Sequence, residues 1–310
     1  MNYIGELISI GVAFMWTGSA LFAEYGTKRL GTLPLNVLRM ALVLVLSVAM
    51  FWALTGQPLP PVAGGEAYVW LLLSGLVGYV VGDYCLFQCY LLIGSRYGQL
   101  LMTLAPISTA VMARVALGQH IGMHGILAMV VTLSGVAISV LGRDDAHNHK
   151  LRLELPLRGV LYGLGAAACQ GVGLVLSKLG MDCYFEALPA DVGPWLLPFF
   201  SNFVRCIAGI VGFALLLSLK EGWRPMRRAL SDKRGLMLVL LTTLPGAFLG
   251  VGCSLLALQY TSAGISSTLS ALSPIIILAP AYWLQKQRVT LKSVVGAVVS
   301  VIGVSIFFLL

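Results

Sequence analysis
Ten runs of apolar residues are separated by short polar connectors, a pattern that predicts transmembrane helices rather than alternating strands. The runs lie at 3–25, 33–55, 67–91, 97–117, 122–142, 157–180, 196–219, 235–258, 263–285 and 289–310. A helix needs about 20 apolar residues to cross roughly 30 Å of hydrocarbon. The longest connectors, 143–156, 181–195 and 220–234, are too short to fold alone. The first run lacks the basic segment that precedes a cleaved signal core, so it reads as a span.

The chain repeats itself. A shift of 168 residues lays Ser74, Gly78 and Gly82 on Thr242, Gly246 and Gly250, and Cys85, Pro106 and Gly135 on Cys253, Pro274 and Gly303. A shift of 166 lays Asn36 and Arg39 on Asn202 and Arg205, and one of 154 sets Glu24 opposite Lys178. The division is a first five-helix repeat at 1–142, a basic connector at 143–156 and a second repeat at 157–310. Five is odd, so the repeats would face opposite ways across the membrane, an all-α architecture of ten helices used by many secondary transporters. The small residues four apart give each repeat a flat stripe for close helix packing.

Composition narrows the class further. Hydrophobic residues make up 58% of the 310 and charged residues 10%, where about 25% is usual in soluble domains. That excludes disorder and a secreted disulfide scaffold, and it makes nucleic acid an unsuitable partner. The six cysteines have no metal-ligand spacing. Neither His120-x3-His124 nor the tract from Asp144 to His149 completes a ligand set, and no catalytic triad or phosphate-binding loop is present. The reading is therefore no enzyme, no metal and no cofactor.

Leu104-Ala105-Pro106 and Leu272-Ser273-Pro274, each followed by a polar helix end and then a glycine-containing helix (Ser134-Gly135-Val136; Ile302-Gly303-Val304), carry a resemblance. Over essentially its whole length the chain resembles the drug/metabolite transporter superfamily, specifically its ten-helix members with two EamA-type repeats. Where that family commonly has Leu-Gly-Glu, this chain has Gln119 and Gln287, so no carboxylate role is carried over. The resemblance implies movement of small metabolites without ATP, across a bacterial cytoplasmic (inner) membrane. It also implies a cavity lined by helices 1, 3, 6 and 8.

Charge gives an orientation. With the N-terminal side called side A, 16 of the 20 Lys and Arg residues fall at side B. The positive-inside rule makes side B cytoplasmic and places both termini outside, whereas the resemblance implies termini inside; we take the charge count. Lys220 to Arg234, with Trp223, reads as an anchor on anionic headgroups.

Ionisable groups within the spans are costly and tend to be functional. Asn36 and Arg39 share a face of helix 2, at a depth similar to Asp83 on helix 3, so an Arg39–Asp83 pair is expected, with Glu24 as a second partner. In the other repeat Arg205 faces Val251 where Asp83 would be, and Lys178 where Glu24 would be. Two readings of Arg205 stay open: it snorkels or pairs with Asp182, Glu186 or Asp191, or it grips an anionic ligand. Trp16, Asn36, Arg39, Tyr84, Gln88, Gln170, Asn202 and Arg205 are the candidate substrate-binding residues. Glu24, Asp83 and Lys178 are candidates for coupling, to protons among others, or gating; Pro106 and Pro274 are candidate kinks. The leading reading is a secondary transporter, taken as an exporter, of amino acids or related amphipathic metabolites, acting as monomer or homodimer among membrane lipids. A non-transporting scaffold and a flippase of lipid-linked substrate are the alternatives.

Overall fold
The computed structural model describes residues 3–117, 123–143, 151–153, 155–186, 188, 192–261, 266, 269–270, 272–285 and 291–309. Gln119, His120, His147, His149, Asp191 and Gln287 lie outside them.

Helix α1 (Ile4–Leu30) turns into α2 (Thr32–Thr55) through one residue, Gly31, at φ 87°. Helices α3 (Gly65–Gly75) and α4 (Tyr84–Ile93) are continuous through a π-helical stretch, Leu76–Asp83. Gly94, at φ 85°, makes the next one-residue turn into α5 (Ser95–Met102). L side chains rarely adopt such φ values, so each one-residue turn needs glycine. There follow α6 (Ala105–Leu117) and α7 (Met123–Val140). The second half holds α8 (Leu157–Phe185), α9 (Leu197–Lys220) and the short α10 (Arg224–Ser231). Then come α11 (Lys233–Thr243), a π stretch Leu244–Phe248, and α12 (Leu249–Tyr260). Short helices Ser273–Ile276 and Leu278–Gln285, then Leu291–Leu309, complete the described chain.

Among the described residues, seven helical segments are long and apolar enough to span a membrane. Their surface is inverted relative to a water-soluble protein. Phe14, Val45, Trp52, Val211 and Leu219 are exposed, while Asn36, Arg39, Asn202 and Arg205 are buried. Lipid tolerates the first set, and burial between helices shelters the second. Buried hydroxyls cap their own helices; Thr17 and Thr27 donate to the carbonyls of Ala13 and Ala23 at 2.8 and 2.7 Å.

The expected span at 97–117 corresponds to the helical segment Ser95–Ala116, with a local interruption: α5 ends at Met102, and the N–H groups of Thr103 and Leu104 reach back only three residues, to Leu100 and Leu101. Pro106 follows this break, where its missing N–H removes no helical bond. The basic connector is not wholly irregular, since Leu141–Arg143 pairs antiparallel with Leu151–Leu153.

The repeats interlock rather than standing as separate bundles. Helix α1 packs on α11 and α12, α8 on α3 and α4, α2 on α9, and α7 on Leu291–Leu309. The contacts are reciprocal in detail. A Cβ on Gly135 would strike Ser300 of the opposite repeat, and one on Gly303 would strike Thr132; the 168-residue shift exchanges these two contacts. Ser74 Oγ donates to the Gly173 carbonyl at 2.7 Å and Ser19 Oγ to the Thr242 carbonyl at 2.8 Å. Those two bonds join the same pair of repeat positions with donor and acceptor swapped. The π stretches also begin at matched residues, Leu76 and Leu244.

A two-chambered cavity between the repeats
Two adjoining chambers, each with an empty volume of about 590 Å3, lie where the repeats meet. Trp16 of α1, Gln99 of α5 and Gln170 of α8 line both chambers and form the waist between them. Glycines let the backbones close around this space. A Cβ at Gly250 would come 2.8 Å from Trp16 Nε1, and one at Gly78 would come 3.1 Å from Arg205 Nη2.

The chamber toward side B holds the charges. Arg39 Nη1 donates to Asp83 Oδ2 at 3.0 Å and to Asn36 Oδ1 at 2.5 Å, and its guanidinium stacks 4.4 Å from the Phe87 ring centroid. Asn36 is held by donating to the Thr32 carbonyl at 3.0 Å. Its counterpart Asn202 donates to the Ala247 carbonyl at 2.8 Å and accepts from the Tyr79 hydroxyl at 2.5 Å. The Tyr79 ring lies 4.8 Å beneath the Arg205 guanidinium. Tyr79, Asp83 and Phe87, four apart along one helix, thus present ring, carboxylate and ring to the two arginines.

Arg205 does not snorkel, and among the described residues of the connector it pairs with neither Asp182 nor Glu186. Its residue is 5% exposed, and Asp182 instead takes Lys178 at 2.5 Å in an exposed pair. Its Nε is sealed from solvent and makes no hydrogen bond among the described residues. The physical reason is position: Arg205 is the ninth residue of α9, its backbone lies against Gly75, and its side chain passes over Gly78 into the chamber.

The chamber toward side A sets the hydroxyls of Thr103, Thr109, Ser254, Ser270 and Ser273 into a largely apolar wall that includes Met102, Leu174 and Leu258, with Pro106 and Pro274 at the helix interruptions. Thr103 donates to the Leu100 carbonyl at 2.7 Å, Thr109 to Ala105 at 2.9 Å, and Ser273 to Ala13 at 3.1 Å. With their protons turned to backbone, these oxygens offer lone pairs.

Four sequence candidates lie elsewhere: Lys178, in its exposed pair with Asp182, and Tyr84, Gln88 and Glu24. Tyr84 carries Lys220 above its ring, 4.8 Å from the centroid, and meets Tyr162 edge-on at 6.2 Å. Gln88 donates to Thr32 Oγ1 at 3.2 Å. Neither lines the two chambers; Leu86, Phe87 and Tyr90, three, four and seven residues past Asp83, take the cavity face. Glu24 does not reach Arg39. It pairs with Lys28 at 2.6 Å and accepts from the Ser95 backbone N–H at 2.7 Å, tying α1 to the Gly94 turn. Sequence reasoning passed over Tyr79, Gln99 and the hydroxyl group. Polar residues placed four apart from Asp83 and next to the two proline breaks were the available signal.

The family model described as EamA-like transporter family matches residues 3–141 and again residues 157–309. No curated protein matches the chain. A solved structure titled "Crystal structure of protein" is similar in fold, with a TM-score of 0.66 at 16% identity. The match covers 98% of this chain and 96% of that one.

Proposed function
The chain belongs to the EamA-like transporter family, and from that premise we propose a secondary transporter that carries a small organic metabolite by alternating access. It is an integral, multi-pass membrane protein of the transporter type. The observation that carries the proposal is the two-chambered cavity at the seam of two reciprocal repeats, lined by helices interrupted at Pro106 and Pro274. In this reading the repeats are inverted, ten helices cross the membrane, and residues 1–142 and 157–310 are the two units.

The packing favours particular moving parts. Helices α3 to α6 with α8 form one wall of the cavity; α1, α11, α12 and the Ser273 helix form the other. The first group carries Gln99, Thr103 and Gln170, the second Trp16, Ser254 and Ser273. Each wall mixes both repeats, so rocking one wall on the other opens side A or side B in turn. The waist residues would then gate whichever chamber is closed. Arg39 and Asp83, already neutralising each other, would hold the charged chamber in shape. Direction is proposed as export, with side B cytoplasmic.

The test is uptake and counterflow in liposomes carrying the purified chain, across a broad metabolite panel with and without a pH gradient. Transport above protein-free vesicles is expected for at least one compound class. No transport of any compound by folded, correctly inserted protein would leave the scaffold reading in its place.

A further inference from the structure
We infer that the transported compound is a polyhydroxylated organic acid, with its carboxylate on Arg205 and its hydroxyl donors in the side-A chamber. The inference rests on the transporter reading and names the substrate class of the same cavity. Charge accounting carries its first half. The side-B chamber is lined by Arg39, Arg205 and Asp83, and Asp83 is engaged by Arg39. That leaves one positive charge at Arg205, buried against an aromatic ring with its Nε unpartnered. A buried charge is costly unless paired and hydrogen-bonded. A guanidinium fork satisfies that need best with a planar carboxylate, held bidentately.

Hydrogen-bond polarity carries the second half. Thr103, Thr109 and Ser273 spend their protons on backbone carbonyls, so the other chamber offers acceptor oxygens. These acceptors give ligand donors, hydroxyl or ammonium, hydrogen bonds that an aliphatic tail cannot form, while Met102, Leu174 and Leu258 in the same wall pack the carbon skeleton. Trp16 and the amides of Gln99 and Gln170 line both chambers, so a ligand can lie across the waist with one end in each.

Three acyclic six-carbon probes separate the terms: gluconate has charge and hydroxyls, sorbitol hydroxyls alone, hexanoate charge alone. Binding to the purified full chain is read from the ligand-dependent rise in unfolding temperature, which follows occupancy of the folded state. Gluconate should bind tightest, with sorbitol weaker by roughly tenfold or more through loss of one charged hydrogen-bonded contact, and hexanoate weaker by roughly tenfold through loss of one or two neutral hydrogen bonds. Arg205→Gln should erase the preference for gluconate over sorbitol. Arg205→Lys should keep the preference at roughly tenfold weaker affinity, because charge survives without the fork. Gly78→Ala crowds only the flexible end of Arg205, and should weaken gluconate binding while leaving the ligand-free unfolding temperature unchanged.

Sorbitol binding as tightly as gluconate, or a gluconate preference that survives Arg205→Gln, overturns the anion assignment. Hexanoate matching gluconate overturns the role of the hydroxyl chamber. Absence of binding by all three to cooperatively unfolding protein overturns the inference as a whole. Vesicle transport of uncharged compounds, untouched by Arg205→Gln, would sink the inference and leave the transporter standing; only absence of all transport sinks the transporter.

Discussion

The seam between α7 and Leu291–Leu309 makes a quantitative prediction, because the same contact occurs there twice. A Cβ added at Gly135 would stand 2.5 Å from Ser300 Oγ and 2.7 Å from the Gly296 carbonyl, where ordinary contact begins at 3.4 Å. At Gly303 the obstruction includes Thr132 Cα at 2.8 Å. The nearest backbone atoms, Ser300 N and Thr132 N, lie at 2.4 Å in the two cases, so a rotamer change cannot relieve the obstruction and the two helices must part by about 1.0 Å. Overpacking of this kind costs about 1–3 kcal/mol, or about 5–150-fold in the unfolding equilibrium. We predict that Gly135→Ala and Gly303→Ala each destabilise by that amount, and by similar amounts, since the repeat exchanges their environments. The double variant should cost less than the sum, because helices parted by the first methyl have room for the second. Reversible denaturation of the purified protein in mild detergent measures all three. Wild-type stability in either single variant, or strict additivity in the double, would refute the close reciprocal seam.

Three further outcomes follow from the ion pairs and the charge distribution. Arg39→Ala should destabilise by about 3–5 kcal/mol by leaving the Asp83 carboxylate buried without its cation; Arg39→Ala with Asp83→Asn should recover part of that loss in the same denaturation assay. Outside the spans, the Arg29 guanidinium holds the Asp232 carboxyl below its ordinary value. Its contribution is therefore present above the unfolded carboxyl's pKa of about 3.9 and lost as pH falls through the lower folded value. Unfolding temperatures of wild type and Asp232→Asn should accordingly converge below that window, and a constant difference at all pH values would contradict the pair. A reporter fused after Leu310 and active only in the cytoplasm should stay silent; activity would reverse the orientation taken from the basic residues of side B.

The scaffold was legible in the sequence to the extent that lipid dictates it. Run length marked the helices, and matched Ser74/Thr242 and Gly135/Gly303 marked the residues through which the repeats touch. The interior was less legible, for two reasons. A spacing of four shows that Tyr84 and Gln88 share a face but not that the face looks inward; counted from Asp83, ordinary helical spacing puts Leu86, Phe87 and Tyr90 on the cavity side. Depth along a helix also says nothing about which neighbour a long side chain meets. Glu24 lay at a suitable depth for Arg39, yet the Gly94 turn brought the Ser95 amide closer. Arg205 could have bent toward the connector, but the glycine at 78 opened a path inward.

The reciprocity of the backbone gives the unequal charges their meaning. In one repeat the arginine at the Asn-x2-Arg position finds Asp83; in the other, the matching place is Val251, and the arginine faces the chamber with only a ring beneath it. A symmetric scaffold with symmetric charges would offer a ligand two equivalent arginines, each already neutralised, and nothing to orient it. Replacing one carboxylate by an apolar residue leaves a single directional handle near the middle of the membrane. Under the proposed rocking mechanism, the scaffold would keep its two-fold exchange while the cavity distinguished one end of a ligand from the other. Asp83→Asn tests this division of labour. Removing the carboxylate that occupies Arg39 should create a second anion handle, so gluconate binding in that variant should persist after Arg205→Gln. Loss of binding in the double variant would show that Arg39 serves the scaffold alone.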